Sequence, residues 1–425
     1  MLLWALIVVN TLLTGAAVAL VQRRSPNHLH LLSLLLVSLW VAYPFKCALL
    51  LLDPDGFMTF THEVDVFNYG FVNIYYFVNM LACMAAVLLF LPREQRDFTE
   101  RSRALHPTFW LLLISVVLIV AYRDIYVEYY LDFSLVKNEL RRKSLEAQVG
   151  YGWITVLMLW GLPLVYFTLR SNASWLLRAA AVGAFLSVLL VVGSRAYLLG
   201  AVLLACVAAI GFSAVRACIV LGLLGIAASV IGMLSWADDN EFLFLFALRR
   251  FMQTYDGFDL FAAYVQNQQG QPLLWGQTIF EDIFITYIPR FMWEGKPFLF
   301  GSNALVASMF PDLSDTEGLM ATFPSGFLLE QFANFSLFGV LFAFLLFALF
   351  SRFPRPIGFK SRFVYLGLFA FSPTFFRSAA SFITLMLVLL LLAVIVDVLE
   401  RLLDYALGLL RRYLANTRHA GLVAR

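Results

Sequence analysis

The chain has 425 residues, 62% of them hydrophobic and only 13% charged, with a mean hydropathy of +0.84 and a formal net charge of +3. Those values exclude a water-soluble domain and give no basic surface for nucleic acid, and apolar runs of bilayer-crossing length place the chain in a membrane. Cys47, Cys83, Cys206 and Cys218 all fall within apolar runs, so they are read as buried thiols rather than as disulfides or a metal set.

Taken in chain order, the apolar runs predict an all-α polytopic bundle of about eleven transmembrane helices. They lie at roughly 2–21, 31–52, 68–91, 107–122, 151–169, 177–192, 197–214, 217–236, 335–351, 363–380 and 382–400. The first run lacks a basic leader and is followed by Arg23 and Arg24, so it reads as a retained span rather than a cleaved signal. Charge then fixes the orientation. Eighteen basic and six acidic residues fall on one side, a net of +12, against eleven basic and 21 acidic on the other, a net of −10. Lys46, inside a span, belongs to neither. The positive-inside rule puts the first side in the cytoplasm, with short basic loops around Arg93, Arg96, Arg101 and Arg103 and around Arg352, Arg355, Lys360 and Arg362. The N-terminus is then outside, and residues 401–425 form a cytoplasmic amphipathic tail.

Two outer segments break the pattern of short loops. Residues 123–150 carry Arg123, Lys137, Arg141, Arg142 and Lys143. Residues 237–334 are too apolar for a free domain and too long for an idle connection. Within them, 240–255 is an apolar run closing on Arg249 and Arg250. Residues 276–288 start with a capping-box pattern, Thr278 to Glu281, and continue as a stripe of Ile279, Phe280, Ile283, Phe284, Tyr287 and Ile288. Both read as interfacial or re-entrant helices against a single domain spanning 1–425.

The outer helix ends present arginines one at a time. Arg195 sits in GSRAY (193–197), where Gly193 and Ser194 allow a tight reversal and expose backbone N–H groups. Arg377 sits in FFRSAASF (375–382) after Ser372, Pro373 and Thr374, polar breaks that suit a bundle cavity better than lipid. Arg123 ends the fourth span; Arg290 and Lys296 lie in IPRFMWEGKP (288–297). Guanidinium groups suit phosphate because the planar fork engages two oxygens at once. Snorkelling to headgroups or pairing with acidic neighbours is the plainer reading of each. Asp256, Asp259, Glu281, Asp282 and Glu330 are candidate bases by location, with salt-bridging as the alternative. Asp53-Pro54-Asp55-Gly56 is read as a turn rather than a metal pair. Lys46 either snorkels or lines a cavity with Tyr43 and Pro44. His62 alone among five histidines faces outward, which leaves no metal set. No Gly-rich phosphate loop is present, so a substrate must arrive already activated from the membrane.

At these residues the chain resembles the membrane oligosaccharide repeat-unit polymerases, the Wzy family of O-antigen and common-antigen polymerases. GSRAY is similar to the family's glycine-then-arginine turn between central helices. IPRFMWEGKP resembles its proline-aromatic-basic-proline segment in the large loop. FPSGFLLEQFANFSLFGVLFA (323–343) resembles the glycine-containing approach to the next helix, and FFRSAASF the arginine near the end of a late helix.

The resemblance implies a C-type membrane glycosyltransferase fold and a metal- and cofactor-independent reaction at the periplasmic face of the bacterial inner membrane. A glycan is transferred from undecaprenyl diphosphate onto a new lipid-linked repeat unit. Arg195, Arg250, Arg290 and Arg377 are the arginines it carries over, with Arg123, Arg249 and Lys296 as further diphosphate contacts and Asp256 as the general base. A chain-length regulator and a flippase are the expected protein partners. Three other readings stand beside it. An O-antigen ligase shares topology and donor, but residues 237–334 contain no histidine, which the ligase pattern has. A lipid-linked oligosaccharide flippase would show internal repeats and midplane binding groups. A non-catalytic envelope scaffold is the third.

Overall fold

The computed structural model describes residues 1–24, 30–57, 66–92, 106–123, 152–192, 195–210, 252, 257–267, 273–285, 288, 292–293, 295–297, 301–309, 326–352 and 359–423. Every regular element among them is helical. In chain order these are α1 (Leu2–Arg24), α2 (Leu31–Trp40), a π-helical turn (Val41–Phe45), α3 (Lys46–Leu52), α4 (Pro54–Phe57), α5 (Val66–Phe90), α6 (Pro107–Ala121), α7 (Gly152–Leu169), α8 (Trp175–Val192) and α9 (Arg195–Ile210). Then come α10 (Gly257–Asn267), α11 (Gln277–Ile285), α12 (Gly301–Met309), α13 (Phe327–Phe335), α14 (Gly339–Arg352), α15 (Phe359–Phe371) and α16 (Ala379–Val423), with a 3₁₀ stretch Ser372–Arg377 before the last.

Five helical stretches are long and apolar enough to cross a membrane: Leu2–Arg24, Leu31–Leu52, Asn68–Phe90, Phe327–Arg352 and Ala379–Ala406. The apolar helices Pro107–Ala121, Val156–Leu169, Trp175–Leu190 and Tyr197–Ala209 are shorter. At 1.5 Å per residue, α6 to α9, of 15, 18, 18 and 16 residues, reach roughly 22–27 Å, against roughly 30 Å of hydrocarbon. The expected span 217–236 lies outside the described residues.

Polar rungs join the helices, since hydrocarbon offers no water to satisfy a buried amide or hydroxyl. Between α1 and α5, Asn10 Nδ2 donates to Asn73 O (3.0 Å) and Asn73 Oδ1 (3.2 Å), and the Thr14 and Tyr76 hydroxyls are 2.7 Å apart. At one end of this pair Arg24 Nη1 donates to the carbonyls of Val87, Leu88 and Leu91 at 2.8–3.1 Å, meeting the negative end of α5 with a cation. The π-turn is the local response to Pro44: the ring has no N–H to give, and one widened turn absorbs the break before α3 resumes.

The shorter helices α6 to α9 pack antiparallel beside the α15–α16 hairpin. Their far anchor is Glu400, 7% exposed, which accepts from His106 N (3.0 Å) and Trp110 Nε1 (2.8 Å) and lies 3.3 Å from His106 Nδ1. Trp110 stacks in turn on Trp160 of α7. Replacing Glu400 with alanine leaves the indole N–H and the amide that starts α6 without an acceptor. A cost of about 1–3 kcal/mol is expected, read as a lowered unfolding temperature in detergent. An unchanged temperature would show that this end of the bundle does not depend on the carboxylate.

α16 is one unbroken helix to Val423, so the tail expected at 401–425 continues the last span without a turn, residues 424–425 lying outside the described set. The stretch from Phe327 to Arg352 is not straight. Ser336 adopts φ 53°, and Gly339 folds back against Gln331 and the Tyr75 hydroxyl, so α13 meets α14 at a sharp corner.

Candidate functional site

Three helices begin at one place inside the bundle. Gly257 opens α10 and Gly326 precedes α13; their backbones cross so closely that a Cβ on Gly326 would lie 2.7 Å from Gly257 Cα and 3.1 Å from the Tyr43 hydroxyl. Gly326 holds φ +89°, which only glycine adopts without strain. Its N–H donates to the carbonyl of Arg377 (2.8 Å), and the Tyr43 hydroxyl accepts from Leu328 N (2.9 Å). The third helix, α16, starts two residues after Arg377. Three helices thus start beside Tyr43, Gly326 and Arg377, and amides at the starts of α13 and α16 are bonded within the protein, to Tyr43, the Arg377 carbonyl and Glu330.

The depth follows from the helices that meet there. Leu31, the first residue of α2, donates its N–H to the Tyr365 hydroxyl (3.1 Å), so α2 and α15 are level at that point. Tyr43 is twelve residues further on, roughly 18 Å along a stretch of roughly 33 Å from Leu31 to Leu52. Arg377, tied to Gly326 beside Tyr43, is thus level with the middle of the α2–α3 span and not with its far rim. Beneath it lies an apolar floor: Phe375, fully buried, packs on Phe327 (4.7 Å between ring centres) and Phe382 (5.0 Å). The Arg377 side chain is half-buried, and its Nε, shielded from solvent, has no hydrogen-bond partner among the described residues. A buried donor of a charged group without an acceptor is costly, so such an atom is suited to an anionic oxygen from a ligand.

Arg195 is brought close to the same level, beside the end of α15. It is the first residue of α9, and two residues later Tyr197 packs edge-on against Phe371 (5.0 Å between centres), immediately before the Ser372–Arg377 stretch. Gly200 lies against Ala370, which keeps α9 and α15 in close register. Arg123 follows α6 at the end that α6 shares with the start of α9, and it is exposed. Lys296 Nζ donates to Ile288 O (2.9 Å). Arg249, Arg250, Asp256 and Arg290 lie outside the described residues, as does most of 123–150.

The candidate carboxylates separate by their partners. Asp259 Oδ2 is 3.4 Å from Lys46 Nζ, and both side chains are almost wholly buried. Lys46 also donates to Phe57 O (2.6 Å) and Met252 O (2.9 Å). Lys46 therefore does not snorkel; it ties the π-kinked span to α4 and α10. Glu281 accepts from Gln277 Nε2 (2.7 Å) and from Gly301 N (2.8 Å), the first residue of α12. The capping box expected at Thr278–Glu281 is not formed. Leu274 N and Trp275 N are bonded to Ala333 O and Asn334 O, which starts α11 at Gln277 and puts Thr278 inside its first turn. The Thr278 hydroxyl instead accepts from Asn334 Nδ2 (2.6 Å). The apolar stripe on α11 also divides: Ile279 is buried, while Phe280 and Phe284 are exposed and in mutual contact (4.3 Å). Asp53 Oδ1 accepts from Gly56 N (3.1 Å), the bond of a local turn.

Glu330 is one of the five acids that location makes a candidate base. It is fully buried, and it accepts from Ser378 Oγ (3.1 and 3.2 Å), Ala379 N (2.7 Å) and Ala380 N (3.3 Å). Among the described residues no group of three or more His, Cys, Asp or Glu side chains is placed to hold a metal ion. Comparison with known proteins finds no match among protein families, curated proteins or solved structures.

Proposed function

We propose that the chain is a glycosyltransferase of the bacterial inner membrane that polymerises undecaprenyl-diphosphate-linked oligosaccharide repeat units into an envelope polysaccharide. In this reading about eleven helices cross the bilayer, the short ones tilting little and thinning it locally, and the arginines open to the periplasm. The observation that carries the reading is Arg377: a half-buried guanidinium whose Nε has no partner among the described residues, set where three helices begin, in a segment that resembles the family's late arginine.

The acceptor hydroxyl oxygen attacks the anomeric carbon of the growing chain. The bond from that carbon to the diphosphate oxygen breaks, and its electron pair leaves with undecaprenyl diphosphate. The leaving group needs charge stabilisation rather than a proton, which Arg377 and Arg195 supply together with Arg250 and Arg290; Arg123, Arg249 and Lys296 complete the basic lining. A water-poor recess strengthens that attraction. Asp256 takes the acceptor proton. A ligase is disfavoured by the absence of histidine from residues 237–334; a lipid-linked oligosaccharide flippase, whose binding groups lie near the midplane as Arg377 does, is the second reading.

Deleting the gene in its host tests the function through the envelope glycans on a gel. A polymerase loss leaves single repeat units on the final acceptor; long chains stranded on the lipid carrier would indicate a ligase, and units trapped in the cytoplasm a flippase. Orientation is tested by reporter fusions, expected to read periplasmic after residues 60, 140, 270 and 375 and cytoplasmic after 98, 174, 357 and 415. A cytoplasmic reading at 270 would overturn the active-face assignment. Purified protein is expected to extend lipid-linked repeat units in the presence of a strong chelator, and Asp53→Asn with Asp55→Asn to be tolerated. Loss of polymer under chelator, restored by divalent metal, would remove the arginine mechanism.

A further inference from the structure

We infer that Glu330 is a positioning residue for Arg377: one turn of α13 grips the arginine's backbone from both sides and fixes where the guanidinium stands. On one side Gly326 N donates to Arg377 O at 2.8 Å. On the other, four residues along the same helix, the Glu330 carboxyl takes the Ser378 hydroxyl and the Ala379 and Ala380 amides at 2.7–3.3 Å. Each of these hydrogen bonds to the Glu330 carboxyl comes from the three residues that follow Arg377. A carboxyl with no solvent exposure is retained only where hydrogen bonds repay its desolvation, and here all of them are spent on that turn. Ser378 Oγ takes Ser381 N (3.0 Å), as an ordinary N-cap does, and Glu330 takes the two earlier amides of the same turn. Because this part of the cap reaches over from α13, it also fixes the distance between α13 and Arg377.

The same helix is tied at its other end to α11 through Asn334. Its Nδ2 donates to Thr278 Oγ1 and to Glu330 O, both at 2.6 Å, and its carbonyl accepts from Trp275 N (3.0 Å). Arg377 is therefore set by a rigid element braced against the large loop, which is how a charged group is held near one geometry before its ligand arrives.

This role rests on the reading of Arg377 as a diphosphate ligand, and a double-mutant cycle on the purified protein in detergent tests both separately. The probe is undecaprenyl diphosphate, titrated against Trp fluorescence. Glu330→Gln, of the same size but with one acceptor fewer, is expected to weaken binding about tenfold, and in an Arg377→Ala background to weaken it less than about twofold further, because residues acting through one another are not additive. Ser378→Ala, which threatens the fold less, is expected to show a smaller loss with the same coupling. Hydrogen exchange at the Ala379 and Ala380 amides should rise in Glu330→Gln whether or not ligand is present. Equal losses in both backgrounds, or unchanged binding and exchange in Glu330→Gln, would overturn the positioning role while leaving the diphosphate reading intact. A wild-type protein that binds no undecaprenyl diphosphate would overturn the diphosphate reading, and the role with it.

Discussion

Arg377→Ala is expected to abolish polymer while the protein persists in the membrane. Removing one preorganised donor from a developing anion typically costs about 10²–10³ in rate, which on a glycan gel is a ladder reduced to its first rung. Among the described residues this arginine is the strongest candidate: it lies level with the middle of a membrane-crossing stretch, beside buried phenylalanines, and its Nε has no partner among those residues. Lysine at the same position should rescue only part of the activity, since an ammonium supplies charge without the planar fork. Arg195→Ala and Arg250→Ala are expected to lose polymer in the same way. Arg96→Ala and Arg355→Ala, on the opposite charged side, should leave chain synthesis intact. The measurement is polymer per unit of membrane protein by immunoblot. If the two sets lose activity equally, the arginines matter for insertion rather than for the diphosphate.

How much of this was legible in the sequence depends on how local each cause is. The helices of α1, α2–α3 and α5 to α9 follow from apolar run length, and their observed starts fall within a few residues of the expected ones. The GSRAY and FFRSAASF segments were singled out from composition alone, Gly-Ser before one arginine and Ser-Pro-Thr before the other. What sequence could not show is the partner at long range. Thr278 and Glu281 have the spacing of a capping box, yet Asn334, 56 residues away from Thr278, claims the hydroxyl, and Gly301 claims the carboxylate. Glu330 looked like one acid among many because its three partners lie 48 to 50 residues downstream. The corner at Ser336 falls at the expected start of a span, 335, just after the polar Glu330, Gln331 and Asn334, whereas the φ of 53° that turns the chain there has no sequence signal. Lys46 carried the one local clue, a proline two residues before a charged side chain inside an apolar run, and its two readings differed only in where the ammonium goes.

That destination gives the second large effect, on stability. Lys46→Met is expected to destabilise the protein by about 3–5 kcal/mol, the usual result of removing one partner from a buried ion pair. The charge that remains is Asp259, 5% exposed and 3.4 Å from the ammonium, and the carbonyls of Phe57 and Met252 lose a donor at the same stroke. The loss should appear as a sharply lower yield of folded protein and a lower unfolding temperature in detergent. Asp259→Asn should cost less, because an amide can keep one bond to Lys46 without leaving a bare carboxylate. Pairing Lys46→Met with Asp259→Leu should recover most of the stability, since two well-packed apolar side chains often replace a buried pair without penalty. A double variant as unstable as Lys46→Met alone would mean that the ammonium's hold on the two carbonyls, and not its pairing with Asp259, fixes α10 against the π-kinked span. In that case Gly257, Gly326 and the Arg377 carbonyl are kept in register by Lys46 directly, and Lys46→Met should weaken undecaprenyl diphosphate binding as well as stability.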